Sequence, residues 1–336
     1  MLTLVVPGLI WPRQALADLS GGLPLPAFSL LLGRGRLQPG PAADTTAMLA
    51  GSLGVAGPLP AAALRRLAFG HAADDAEWLC LDPVRLRFEE RSLVLDDPRA
   101  LALEAAEAEA LAMALAPTFA ALGELDVLAP QTWNLRLSAS SPSFAELEQS
   151  LGRAVVPLPV QPAYSAWRQT LNEAQMVLHA HPVNQAREAA GKPLVNSLWP
   201  WGGGRLPAPT SSHHVGVWSA DPVVRGMAQM QQIDANTLPA AYAAGPGKSI
   251  LACFDELAAP SHLGDALAWR DALLRLESAW LAPALAAMRS GQLDSLRLLA
   301  PGERNSVELL VDRTGLWKFW RKPRPLADAF AAAKAP

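Results

Sequence analysis

The side chains whose types and spacing could bind a metal, move a proton or grip an anion fall mainly in two stretches. The chain carries six histidines and two cysteines, and Cys80 and Cys253 have no CxxC spacing. The most distinctive stretch is HPVNQAREAAGKPLVNSLWPWGGG, His181–Gly204. Arg187 and Arg205, with Asn184 and Asn196, are side-chain types that hold a carboxylate or phosphate through paired hydrogen bonds. The competing reading pairs Arg187 with Glu173 or Glu188 and lets Asn196 close a tight turn. A second set, Asp255, Glu256, His262 and Asp265, follows the apolar run SILACF, Ser249–Phe254. Ligands of α/β proteins bind at the carboxyl ends of strands, so this set is the candidate for a weak ligand or metal site. The simpler reading makes His262 and Asp265 the polar start of the next helix. His213 and His214 are adjacent on an expected strand, would face opposite ways, and so would not share an ion. His179 and His181, two apart at a helix end, diverge as well.

The run Trp199–Gly204 needs a structural reason, because tryptophan is large and three glycines are costly to order. A phosphate cradle would place a strand before the glycines and a helix after them. Here a helical pattern precedes them and Pro207 and Pro209 follow, so the expectation is a rigid corner between domains.

Strands and helices must position these groups. Leu2–Val6 and Ser249–Phe254 read as buried strands, and SLRLLAP, SVELLVD and LWKFWRK as closing strands. Pro24 opens a helix closed by Gly33 and Gly35, and Thr45–Leu53 and Ala61–Phe69 read as short helices. AEWLCLDPVRLRFEERSLVLDDP looks like strand, turn, strand, with Asp82-Pro83 as the turn. Leu101–Leu122 is an amphipathic helix broken near Pro117. DVLAPQTWNLRLS suggests an exposed edge strand, and Ser165–Ala190 a helix interrupted at Pro182. SSHHVGVWS is a strand candidate, and Leu263–Met288 reads as one long helix. The last ten residues look like a fraying tail. Alternation of strand and helix at both ends around a mixed middle predicts a doubly wound α/β sheet with an inserted α+β domain. The borders fall at 1–75 for the first part of the core, 76–195 for the insertion and 196–336 for the second part.

A chain of 336 residues, half of them hydrophobic, can bury a large core. Its formal charge of −3 gives no footprint for nucleic acid or an anionic membrane. The apolar N-terminus has no basic residue before it and is too short to span a bilayer. A cytoplasmic protein is the expectation, with no nucleic-acid or membrane partner.

The stretch His181–Gly204 resembles a signature of the archaeal-type cofactor-independent phosphoglycerate mutases of the alkaline phosphatase superfamily. The matching positions are His181, Pro182, Val183, Asn184, Arg187, Gly191, Asn196, Trp199, Trp201, Gly202 and Gly204. Fainter likeness lies in LPAFSLLLGRG, in Arg225–Met230 and in Cys253–Glu256 with His262 and Asp265. DPVRL, NEAQMVLHAHPVN and WKFWRK are similar to a bacterial group of mutase-related or regulatory proteins. The resemblance implies an alkaline-phosphatase-like core. It also implies two divalent metals around a hydroxyl nucleophile, held by carboxylates and imidazoles. This sequence departs from that pattern. Pro7 stands where the first metal aspartate is expected. DTTAMLAGSLG sets Thr45 over the nucleophile, but Thr46 and Leu49 over an aspartate and a histidine. No histidine follows His262. The expectation is therefore a degenerate mutase relative without a cofactor, acting as a regulatory protein toward a small anionic ligand or a protein partner. The alternative is an active manganese or zinc mutase or phosphatase using Thr45 with Asp44, Asp255, His262 and Asp265. The aromatic block Trp317, Phe319 and Trp320 would serve a scaffold that binds other proteins.

Overall fold

The computed structural model describes residues 1–332 except 56, 58, 73, 90, 209–211 and 244–248. The chain divides into two compact units, Met1–Ala56 with Pro209–Pro336, and Gly57–Ala208. In chain order the strands are β1 (Leu2–Val5), β2 (Arg36–Gly40), β3 (Trp78–Val84), β4 (Leu86–Glu89), β5 (Ser92–Leu95), β6 (Gly123–Ala129), β7 (Thr132–Leu137), β8 (Ser197–Gly204), β9 (Gly216–Trp218), β10 (Asp234–Asn236), β11 (Ile250–Cys253), β12 (Ser295–Ala300) and β13 (Ser306–Asp312).

The first unit is built on a seven-stranded sheet ordered β10-β9-β11-β1-β12-β13-β2. The first five strands run parallel, β13 reverses against β12, and β2 reverses against β13. Every residue of β1 and β11 is buried. Central parallel strands are covered on both faces, so they read as unbroken apolar runs. One face packs on the helix Pro26–Arg34 and on the region 266–290, around Phe28, Trp269 and Trp280. That region is not the single helix its periodicity predicts. A helix ends at Leu263, Gly264 turns left-handed at φ +68°, and Asp265 caps a new helix, Ala266–Arg275. A π-helical turn, Leu276–Leu281, then joins the helix Ala282–Ser290. The turn carries Glu277, whose carboxylate accepts from the backbone nitrogens of Ala27 and Phe28 at 2.7 and 2.9 Å. A buried acid thus satisfies the open amides of a helix start.

The second unit has a four-stranded antiparallel sheet ordered β6-β7-β3-β8, with β4 and β5 as a separate hairpin. Helices Ala105–Phe119 and Ser165–Ala180 join one face in a core containing Leu79, Leu81, Trp133 and Leu135. The helix Ala61–Ala68 packs on β3 and β8. That helix and strand β8 are why the second unit spans 57–208 instead of 76–195.

Four local expectations need correction. Asp82 and Pro83 are no turn, because β3 runs through both of them. DVLAPQTWNLRLS is the β6–β7 hairpin turning after Ala129; β6 is the edge and β7 is interior. LWKFWRK is no strand: Leu316 ends a short helix, Arg313–Leu316, and turns follow it. The expected fraying tail is anchored as far as Ala332, whose N donates to Trp11 O at 2.7 Å, and Phe330 is fully buried with its ring 5.7 Å from Phe28; residues 333–336 lie outside the described residues. The two cysteines are buried in different units, on β3 and β11.

Candidate functional site

In the first unit the carboxyl ends of β11, β1 and β12 lie side by side. Phe254 N donates to Val5 O at 2.9 Å, and Val6 N donates to Leu299 O at 2.8 Å. The loop after β1 begins with buried Pro7 and then Gly8 at φ +79°. A Cβ on Gly8 would stand 2.4 Å from Leu257 O, so the backbone approach admits only glycine. The Gly8 carbonyl oxygen accepts two indole N–H groups, from Trp11 at 3.1 Å and Trp269 at 2.8 Å. The rings meet edge to face, 5.8 Å between centroids. Two indole rings thus occupy the loop just beyond the strand end.

Asp255 and Glu256 follow β11 after Phe254. Glu256 pairs with Arg275 at 2.5 Å. His262 and Asp265 are exposed. The Asp265 carboxylate caps its helix, accepting from Ala268 N at 3.0 Å. Thr45, half-buried, opens the helix Thr45–Ser52, and Asp44 caps it by accepting from Ala47 N at 2.6 Å. Ala43 is bridged to Gly302 beyond β12, which puts the start of that helix on the same edge of the sheet. Among the described residues, no three or more His, Cys, Asp or Glu side chains gather so as to hold a metal. A metal pair needs several carboxylate and imidazole donors. Pro7 has no donor, the Gly8 oxygen is engaged by indoles, and Asp44 and Asp265 are engaged as caps. The residues present do not fit a two-metal centre.

The other candidates lie in the second unit and face inward. Asn184 is buried; its Nδ2 donates to Leu178 O and Val195 O, both at 2.7 Å, and its Oδ1 accepts from Val195 N at 3.0 Å. Arg187 is 1% exposed. It donates through Nε to Pro193 O at 2.8 Å, through Nη1 to Glu107 at 2.6 Å, and through Nη2 to Leu101 O. Its ionic partner is therefore Glu107, not Glu173 or Glu188. Asn196 exchanges two hydrogen bonds with the Leu86 backbone, at 2.7 and 2.8 Å. His181 Nδ1 accepts from Val183 N at 3.2 Å and so caps the helix Pro182–Ala189. Arg205 is exposed, 4.0 Å from Glu77, and lines an open cleft of about 900 Å³ with Arg136, Glu124, Ser138 and Ser140. Asn184, Arg187 and Asn196 do not line that cleft.

The WPWGGG run is no corner but strand β8, antiparallel to β3. Gly202 has φ +57°, and a Cβ there would come within 2.5 Å of Ala61 Cβ. The glycine lets the start of the helix Ala61–Ala68 lie directly on the strand. Beneath that helix sits a group the sequence reading missed. Asp82 is 1% exposed and accepts from Arg65 Nη1, from Trp133 N at 3.1 Å and from Trp201 Nε1 at 2.8 Å. The Arg65 guanidinium lies 4.6 Å from the centre of the Trp201 ring. An acid inside the apolar run WLCLDPV was the available signal, masked by the Asp-Pro turn signature.

No family model matches the sequence, and no curated protein matches it. Solved structures do. One is a cofactor-independent phosphoglycerate mutase from Thermoplasma acidophilum, with 17% identity and a TM-score of 0.49, covering 99% of this chain and 95% of that one. Another is a protein from Pyrococcus horikoshii, with 16% identity and a TM-score of 0.54, covering 97% of this chain and 91% of that one. The chain has the alkaline-phosphatase-like α/β fold.

At the opposite, amino edge of this alkaline-phosphatase-like sheet, His213 and His214 precede β9 and lie outside any strand. Their rings do not diverge but sit 4.1 Å apart, tilted by 38°. His214 is buried, with Nδ1 3.2 Å from Ser249 Oγ. Burial, then the charges of His213, Arg297 and the N-terminal amine, lower its pKa to about 4. Among the described residues, no helix is long and apolar enough to cross a membrane.

Proposed function

We propose that the chain is a phosphoglycerate-mutase-related protein that has lost phosphoryl transfer and serves as a regulatory or ligand-binding member of that lineage. The observation that carries this reading is the Gly8 carbonyl held between Trp11 and Trp269, immediately after Pro7. The residue matched to the mutases' first metal aspartate has no donor atom, and its neighbourhood is packed with indole rings. The resemblance of His181–Gly204 to the mutase signature supports descent, and here Asn184 and Asn196 hold backbone groups while Arg187 holds Glu107 and two backbone carbonyls. Arg205 and Arg136, in the open cleft of the second unit, are the exposed cations available to a small anionic ligand.

The test joins metal analysis of the purified protein to mutase and phosphatase assays with added manganese or zinc. The expected result is no stoichiometric metal and no turnover. Two tightly bound ions per chain, with turnover abolished by Thr45→Ala, would establish the active metalloenzyme instead.

A further inference from the structure

Trp317, Phe319 and Trp320 are 77%, 80% and 68% exposed. Arg313, Lys318, Arg321, Lys322 and Arg324 share the segment, and no acid lies between Asp312 and Asp328. Large aromatic side chains normally bury their surface, so three in four residues, set among cations, mark a contact surface. The segment is held firmly in place. Asp312 Oδ1 accepts from Gly315 N and Thr314 Oγ1, at 2.5 and 2.6 Å. Trp317 N and Lys318 N close the turn onto Thr314 O and Gly315 O. Downstream, Arg324 N donates to Ser29 O at 3.0 Å, and Lys322 O lies so close to Gly33 that a Cβ there would stand 2.2 Å away. The backbone that carries the rings is therefore tied on both sides.

We propose that this turn docks the protein onto anionic lipid bilayers, as a peripheral contact that does not cross them. Tryptophan rings settle at headgroup depth, and neighbouring lysines and arginines are drawn to acidic lipids. The formal charge of −3 hides this patch: five cations lie within twelve residues of an otherwise acidic chain, with Arg313 also 4.0 Å from Asp294, so attraction depends on orientation. Binding of single-stranded nucleic acid would set ring faces along a basic groove. Here Phe319 and Trp320 meet edge to face at 5.4 Å, and neither the 900 Å³ cleft nor a second one of about 350 Å³ is lined by the segment.

The test is co-sedimentation of the full chain with vesicles of phosphatidylcholine, alone or mixed with phosphatidylglycerol. Apparent affinity should be at least about tenfold higher on the anionic vesicles. It should collapse at about 0.5 M salt. W317A/F319A/W320A and, separately, K318Q/R321Q/K322Q should each lose retention while melting like the parent protein. If the aromatic variant does not fold, the glutamine variant and the salt series on the parent chain decide. Equal binding to both vesicles, no binding, retention by the folded variants, or displacement from vesicles by a poly-dT oligonucleotide would each overturn the proposal.

Discussion

One nitrogen of Arg65, Nη1, sits 2.8 and 2.9 Å from the two carboxylate oxygens of Asp82, with both residues buried. This ion pair fastens the helix Ala61–Ala68 to β3, and Trp201 and Trp133 complete the coordination of the acid. Removing one partner leaves an uncompensated buried charge, which costs more than losing the pair together. Asp82→Ala should lower the unfolding free energy by about 3–5 kcal/mol in urea titration. Arg65→Met combined with Asp82→Leu should cost clearly less than Asp82→Ala alone. A double variant at least as damaged as the single one would refute this account.

Arg187 is predicted to be a clasp within the second unit. It ties Leu101, Glu107 and Pro193 to the helix Pro182–Ala189. Arg187→Met should cost about 3 kcal/mol or more, because Glu107 loses its partner and two carbonyls lose charged donors. Chemical denaturation measures this directly. An unchanged midpoint would return Arg187 to the anion-binding role its sequence context suggested.

Gly202 should be irreplaceable on steric grounds. Alanine there adds a left-handed backbone penalty to a 2.5 Å approach to Ala61 Cβ. Gly202→Ala should lower stability by roughly 1–3 kcal/mol. Gly51→Ala is the control: it lies in a helix, has nothing within 4 Å of its Cβ position, and should be neutral or gain up to about 1 kcal/mol. Thermal melts of the two variants should move in opposite directions or differ by several degrees.

His214 predicts a pH dependence with a definite sign. Its folded pKa, about 4, lies below the ordinary 6.5, so the unfolded chain takes up the proton first as pH falls. Stability should be constant with respect to this group above pH 6.5 and decline between 6.5 and 4. The loss is up to roughly 2 kcal/mol, allowing for partial solvent screening. His214→Gln should flatten that slope in urea midpoints taken across the window. An equal slope in the variant would assign the dependence to other groups.

Much of the scaffold was legible because it is written locally. β1 and β11 are unbroken apolar runs, and the helical break at Pro182 follows from proline's place in a first helical turn. What was not legible depends on partners far along the chain. Asp82-Pro83 has the local chemistry of a turn, but Arg65 and Trp201 hold it within a strand. LWKFWRK alternates like a strand but forms turns after a short helix. The candidate site divided in the same way. Asp265 proved a helix cap, as its position before an apolar helix allowed. The partner of Arg187 was hidden because Glu107 lies 80 residues upstream. Likewise, nothing near Gly8 announced that Trp269 would reach its carbonyl.

The interruption of the first unit by residues 57–208 sets an order of events during synthesis. Leu2 pairs with Ile250 on one side and Leu296 on the other. The segment 57–208 is continuous and complete well before either partner strand has been translated. At about 5–20 residues per second, the apolar strand β1 waits on the order of tens of seconds for its neighbours. β1 is made before the segment 57–208 and paired only after it, so the nascent chain has a long interval in which Leu2–Val6 must be shielded from other chains.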